Sequence, residues 1–116
     1  MTEATVKEIL THHLTAFGSN ELEEILKDYT KESTVITPAG IVKGLSAIKD
    51  FFAGYFILIP TGSAFEMKQL AVTENAAYIL WSSKSAVADI KIGTDTFLFE
   101  DGKIKLHTVA SYTATE

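Results

Sequence analysis

Residues Tyr29–Phe52, with the sequence YTKESTVITPAGIVKGLSAIKDFF, carry the clearest structural signals in this chain. They predict the end of a helix, a short strand, a turn at Pro38–Gly40, a second short strand and a helix that begins after Gly44. Proline and glycine mark the turn because proline presets one backbone angle and glycine tolerates positive φ. Two amphipathic helical patterns precede this stretch, and a series of strand patterns follows it.

Helical periodicity occurs in three segments, where apolar residues repeat at the i, i+3, i+4, i+7 spacing of one helical face. Asn20, with Glu23 three residues later, matches the capping box at a helix start, and Pro60 requires the third helix to end before it. The stripes are Val6, Ile9, Leu10, His13, Leu14 and Phe17 in the first helix, which ends at Gly18; Leu22, Ile25, Leu26 and Tyr29 in the second; and Leu45, Ile48, Phe51, Phe52 and Tyr55 in the third.

The second half of the chain is predicted to form strands, at residues 65–73, 76–83, 90–99 and 103–113. Asp101–Gly102, between the last two, is a strong hairpin signal. Helices followed by a run of antiparallel strands predict an α+β fold, with the helices packed on one face of the sheet.

Length and composition narrow the classes of protein further. The 116 residues suit a single domain, 1–116. The net charge of −5 comes without a basic stripe, so we expect no nucleic-acid partner. No cysteine occurs, which excludes disulfides and thiolate chemistry. The N-terminal segment lacks the apolar core of a signal peptide, and the longest apolar run is too short to span a bilayer, so we expect a cytoplasmic protein without a membrane partner.

The order of elements around Tyr29–Phe52 resembles the nuclear transport factor 2-like superfamily, which includes SnoaL-like polyketide cyclases and ketosteroid isomerases. The resemblance covers nearly the whole chain, as one SnoaL-like domain. It implies a strongly curved sheet that forms a cone with three helices, a cystatin-like α+β roll, and a ligand pocket at the open end of the cone. This fold hosts isomerases, dehydratases, cyclases, hydrolases and binding modules, so activity has to be argued from the site.

His13 is the first candidate catalytic residue, because it lies in the apolar stripe of the first helix. The neighbouring His12 falls on the polar face, where we expect it to be solvated. A core histidine bonded to a nearby carbonyl would explain His13 equally well. Ketosteroid isomerases present a tyrosine at this place, and that tyrosine donates a hydrogen bond to the developing oxyanion. The resemblance therefore implies a catalytic role for His13.

Asp95 is the second candidate, because strand alternation puts it on one face with Phe97 and Phe99. A carboxylate on an aromatic face is costly unless it is paired or protonated. A solvated strand end would remove that cost. The pattern Asp-x-Phe-x-Phe resembles the strand of ketosteroid isomerases that carries a second oxyanion donor, an aspartic acid kept neutral by its apolar site. We predict that Asp95 and His13 form a pair in the cone.

Thr37 marks a departure from the isomerases, which place a general-base aspartate immediately before the proline that ends the first strand. Thr37 holds that place before Pro38. Threonine cannot abstract a carbon-bound proton near neutral pH. The resemblance implies that Thr37 faces the pocket, yet the steroid-isomerase reaction is not expected by that route.

His107 is the third candidate, and two interpretations of its strand disagree. Simple alternation groups Ile104 with Leu106 as the core face and exposes His107. The resemblance instead turns His107, Val109 and Ser111 toward the pocket, and we favour this assignment. It also implies that Phe17, Phe52, Phe56, Tyr78, Leu80 and Ser82 surround the cavity.

Two functions remain open at this point. One is an enzyme that carries out isomerisation, cyclisation or dehydration on a hydrophobic, oxygenated substrate, with acid–base chemistry from its histidines and aspartate. The other is a non-catalytic module that binds an apolar ligand or pairs through its sheet. No metal site or cofactor motif is present in the sequence, so we expect neither. We predict a two-fold dimer through the convex sheet face, with Ile79 and Trp81 exposed there.

Overall fold

The computed structural model describes residues 1–114, and there the chain folds into three helices and one six-stranded sheet. The elements in chain order are α1 (Glu3–Gly18), α2 (Leu22–Leu26), β1 (Thr34–Thr37), β2 (Gly40–Lys43), α3 (Leu45–Leu58), β3 (Ala64–Val72), β4 (Ala76–Lys84), β5 (Asp89–Glu100) and β6 (Lys103–Thr113). The predicted α+β class and element order are confirmed.

The sheet has the strand order β2-β1-β6-β5-β4-β3, and all neighbours are antiparallel except β1 and β6. Its ladders are interrupted by bulges, whose extra residues are Lys68 in β3, Lys91 in β5 and Lys105 in β6. A bulge bends its strand and increases the local twist. These interruptions account for a curved sheet that wraps the helices without closing into a barrel.

The core lies between the inner face of the sheet and helices α1 and α3. Val6 and Leu10 of α1, Ile48 and Phe52 of α3, and Phe97 of β5 are each 2% exposed or less. Burying side chains of this size contributes about 1.5–3 kcal/mol each. The two stripes predicted for these helices therefore point at the sheet, as their periodicity required.

The region around α2 differs from its prediction. Asn20 is not the N-cap, because its φ of 53° puts it in the left-handed region and Glu21 occupies the cap position. The Asn20 amide instead donates to the carbonyls of Phe17 and Ile59. The helix ends at Leu26, so Tyr29 lies beyond it in the following turn.

The Asp101–Gly102 hairpin is confirmed, since both residues have the positive φ angles of the tight turns that join antiparallel strands. Within residues 1–114, no helix combines the length and the apolarity that crossing a bilayer requires.

Candidate functional site

The bulge at Lys105 determines where His107 points. Because the bulge adds one residue to β6, Ile104 and His107 both lie on the inner face, although simple alternation puts them on opposite faces. His107 is 1% exposed. The expectation from simple alternation is wrong here, and the inward orientation that the resemblance implied is the one observed.

A chain of hydrogen bonds runs through His107 and Asp95. The Nε2 of His107 lies 2.6 Å from Oδ2 of Asp95, and its Nδ1 lies 2.9 Å from the hydroxyl of Tyr29. On the other side of the carboxyl group, the indole N–H of Trp81 donates to Oδ1 of Asp95 over 2.6 Å. Four side chains from different parts of the sequence thus form one buried polar network.

The donors in this network all point toward Asp95. An indole N–H can only donate, and burial raises the pKa of Tyr29 well above its usual range, with Asp95 and Asp28 adding to the shift. Tyr29 therefore keeps its proton and donates it to Nδ1 of His107. Nε2 of His107 then carries the ring's proton and donates it to Asp95. This arrangement gives every polar side-chain atom of the network a hydrogen-bond partner.

Trp81 reaches Asp95 by lying flat across Gly93. In the β4–β5 ladder these two residues are paired, and a Cβ on Gly93 would come within 2.2 Å of the indole ring. Phe65 stacks on the other side of the indole, with ring centroids 5.4 Å apart. The glycine is therefore a requirement of the site, since a larger residue would displace the group that holds Asp95.

His13 occupies the inner face of α1 as its place in the apolar stripe predicted, and it is 3% exposed. Its ring makes edge contacts with Phe52, Phe97 and His107. Burial, with smaller contributions from His107 and His12, lowers the pKa of His13 to about 3. Its Nδ1 is buried without a hydrogen-bond partner within the described residues. His13 is thus a neutral imidazole with unused hydrogen-bonding capacity.

These side chains enclose a small cavity with a volume of about 30 Å³. That volume accepts a water molecule or a small polar group, and it is far below the ~300 Å³ at which ligand pockets usually begin. Apart from Asp95 and the histidines the walls are largely aromatic. The lining residues are His13, Leu14, Phe17, Phe51, Phe52, Tyr55, Phe65, Ile79, Trp81, Asp95 and His107.

The structure corrects the predicted orientation of β4. Tyr78, Leu80 and Ser82, which were expected around this cavity, lie on the outer face of the sheet, whereas Ile79 and Trp81 face inward. Side chains alternate along a strand, so an assignment that is off by one residue exchanges the two faces completely. The indole of Trp81 lies on the inner face because Gly93 leaves space for the ring there and Asp95 accepts its N–H hydrogen bond.

Four other predicted pocket residues are not among those that line the cavity. The hydroxyl of Thr37 is used inside the β1–β2 turn, where it accepts from the N–H of Ala39 and donates to the carbonyl of Gly40. Phe56 packs against Phe17, with ring centroids 5.4 Å apart. Val109 and Ser111 follow His107 on β6. Val109 is buried beside Asp95 in the ladder, and Ser111 is exposed.

The histidine pairings also differ from their prediction. Asp95 bonds to His107 and Trp81, so the predicted His13–Asp95 pair is wrong, although both residues line the same cavity. His12 is not simply solvated. Its Nδ1 lies 2.7 Å from Asp28 and its Nε2 3.0 Å from Glu24. These two bonds raise the pKa of His12 and join α1 to α2.

Tyr29 and Trp81 are the functional residues that the sequence argument missed. Tyr29 was assigned to a helical stripe and Trp81 to the outer face. Gly93 was the available signal, since a glycine in the middle of a strand often marks the close approach of another group. Among residues 1–114, no group of three acidic or histidine side chains is arranged to hold a metal ion.

Comparisons with known proteins agree with this architecture. The chain is similar to many solved structures, among them the following three, and at their identities the likeness shows the fold alone. The first is an NTF-2 like protein of unknown function from Burkholderia xenovorans LB400, with a TM-score of 0.80, 17% identity, and coverage of 100% of this chain and 89% of that one. The second is a protein of unknown function with a cystatin-like fold from Methylobium petroleophilum PM1, with a TM-score of 0.74, 13% identity, and coverage of 100% and 80%.

The third is a ketosteroid isomerase-like protein from Erwinia carotovora atroseptica SCRI1043, with a TM-score of 0.68, 14% identity and 97% coverage of both chains. No curated protein sequence matches the chain. A family model described as the SnoaL-like domain matches residues 10–107, which is most of the chain. The protein therefore belongs to the SnoaL-like domain family, within the nuclear transport factor 2-like superfamily.

Proposed function

We propose that this protein is an enzyme that moves a proton on a small, uncharged, oxygenated substrate, with Asp95 as the base. The observation that carries the proposal is the hydrogen-bond chain that ends on Asp95 inside an aromatic cavity. Structural ion pairs also occur in cores, but this carboxylate lines a void and two donors fix its position. A base held in place beside an enclosed space is the arrangement that general-base catalysis needs.

Asp95 has acceptor capacity left for a substrate. Each of its oxygens accepts one hydrogen bond in the network, and a carboxylate offers about four lone-pair sites. Both nitrogens of His107 are already engaged, so His107 cannot contact substrate without breaking a bond. In this proposal His107 is a positioning residue, and Asp95 is the group that takes and returns the proton.

His13 supplies the second interaction in the proposed mechanism. Its imidazole is neutral, because its pKa lies far below neutrality, and its Nδ1 has no partner in the described structure. A carbonyl or hydroxyl of the substrate would give this ring the hydrogen bond that it lacks. Acid–base isomerisation, cyclisation and dehydration all require a base and a group that polarises oxygen, and Asp95 and His13 would fill these roles.

The alternative is that the domain binds an apolar ligand without reaction. The loss of the usual base at Thr37 favours this second function. Both functions place a molecule in the same cavity, so only a measurement of proton transfer separates them.

Deuterium exchange provides that measurement. Small ketones such as 2-pentanone are incubated with the protein in D₂O, and loss of the protons next to the carbonyl is followed by NMR. We expect exchange above background, falling about 100-fold or more in Asp95→Asn. Asp50→Asn, which changes an exposed carboxylate on α3, is the matched control. Exchange that survives Asp95→Asn would show that Asp95 is not the base. Binding without exchange would establish the alternative.

We also propose that the protein forms a two-fold dimer through the outer face of the sheet. With Trp81 turned inward, that face is made by other residues. Tyr78 and Leu80 are half-buried there, and Ile92, Leu98 and Tyr112 are exposed. Among residues 1–114 the helices pack on the opposite face of the sheet, and exposed apolar area of this kind often marks a subunit interface.

A further inference from the structure

A second depression adjoins the cavity and shares part of its wall. We call it the groove. It has a volume of about 310 Å³, roughly ten times that of the cavity. Leu14, Phe17 and Phe65 line both spaces. The groove is lined by Leu14, Phe17, Gly18, Ile59, Pro60, Gly62, Ser63, Phe65 and Met67.

The side chains that line the groove are apolar except for Ser63. None of its lining side chains is charged. Its one side-chain hydroxyl, that of Ser63, already donates to the carbonyl of Pro60 over 2.6 Å. Walls of this kind favour the binding of a hydrocarbon group and provide no free side-chain hydrogen-bond partner for a polar group of a ligand.

One residue of the shared wall, Phe65, is linked to Asp95 through Trp81. Phe65 lies on β3, which is an edge strand of the sheet, and its side chain is 42% exposed. Its ring stacks on Trp81, whose indole N–H holds Asp95. Exposed side chains change rotamer within nanoseconds. A rotation of Phe65 would therefore join the groove to the cavity without moving the backbone.

We infer that the groove is the binding site for the apolar tail of a substrate whose oxygenated head lies in the cavity. This inference rests on the proposed function and specifies its substrate class. The head is uncharged, because Asp95 would repel an anion and no lysine or arginine lines either space. The substrate is a ketone, aldehyde or alcohol with a hydrocarbon chain, and the wall residues of the groove set its length.

A chain-length series tests the inference. Binding of 2-alkanones from 2-pentanone to 2-undecanone is followed by the fluorescence of Trp81, the only tryptophan in the chain. Each methylene that enters the groove should tighten binding about fourfold until the groove is filled. Met67→Gln, which puts an amide in a wall of the groove alone, should weaken 2-nonanone at least tenfold and leave 2-pentanone unchanged. Ser63→Phe, which fills the groove without adding a second tryptophan, should do the same.

Leu70→Ala is the matched control. Leu70 is on the same strand as Phe65, has a similar exposure of 45%, and lines neither space, so the series should be unaffected. Affinity that does not depend on chain length, or a dependence that both groove variants leave intact, would overturn the inference. If 2-pentanone exchange still required Asp95 in that case, the proposed function would stand. Chain-length dependence without any exchange would instead support the groove and remove the catalytic role.

Discussion

Replacing Gly93 by alanine should disconnect Trp81 from Asp95. The added Cβ would lie 2.2 Å from the indole, whereas carbon atoms in contact are about 3.5–4.0 Å apart. The ring would have to move by more than about 1 Å to relieve this overlap. Its N–H donates over 2.6 Å, so a shift of that size away from the carboxylate breaks the hydrogen bond.

Two costs follow from this displacement. Overpacking of a filled core costs about 1–3 kcal/mol. A lost hydrogen bond to a charged group costs about 1.5–3 kcal/mol. We expect Gly93→Ala to lower the free energy of unfolding by about 3 kcal/mol, measured by urea titration. Proton exchange on 2-pentanone should fall as well, because Asp95 loses one of the two donors that orient it.

Gly54→Ala is the control for this experiment. Gly54 lies inside α3, and a Cβ there meets no atom within 4 Å. Alanine should therefore raise the free energy of unfolding by about 0.5–1 kcal/mol, as expected for a helix interior. The emission of Trp81 should change in Gly93→Ala and stay the same in Gly54→Ala. If Gly93→Ala had the unfolding midpoint and the emission spectrum of the wild type, the claim that a side chain at position 93 displaces the indole of Trp81 would be wrong.

Three further predictions concern other groups. Asp95→Asn should move the ring NMR signals of His107, because it removes the carboxylate that His107 contacts, and leave those of His12 in place; unmoved His107 signals would mean that the two residues are not bonded in solution. The bonds to Glu24 and Asp28 raise the pKa of His12 in the folded state, so the stability that they contribute is fully present below the usual pKa of 6.5 and is lost as the pH rises through the raised value. His12→Gln should therefore cost about 0.5 kcal/mol at pH 5.5, a small value because the pair is partly exposed, and almost nothing at pH 9; a difference that is constant with pH would contradict this. Leu98→Lys should convert the proposed dimer to a monomer in sedimentation at micromolar concentration, and a wild type that is already monomeric would exclude the dimer.

Local sequence patterns were sufficient for most of the fold. Helical stripes in α1 and α3, the turn at Asp101–Gly102 and the alternation in β5 depend on neighbours a few residues apart. Such patterns can be recognised in the sequence because the same residue spacing recurs at each helical turn and along each strand. Asp95 could be singled out for the same reason, since a carboxylate on the same strand face as Phe97 and Phe99 is unusual.

The partners of Asp95 were decided only by the tertiary structure. Trp81 and His107 reach it from two other strands, Tyr29 joins through His107 from the segment after α2, and no local pattern relates these positions. The direction of His107 depended on the bulge at Lys105, which adds one residue and reverses the alternation beyond it. The direction of Trp81 depended on the register that puts it opposite Gly93. A strand has two faces, and which of them is buried is settled by packing against the rest of the chain.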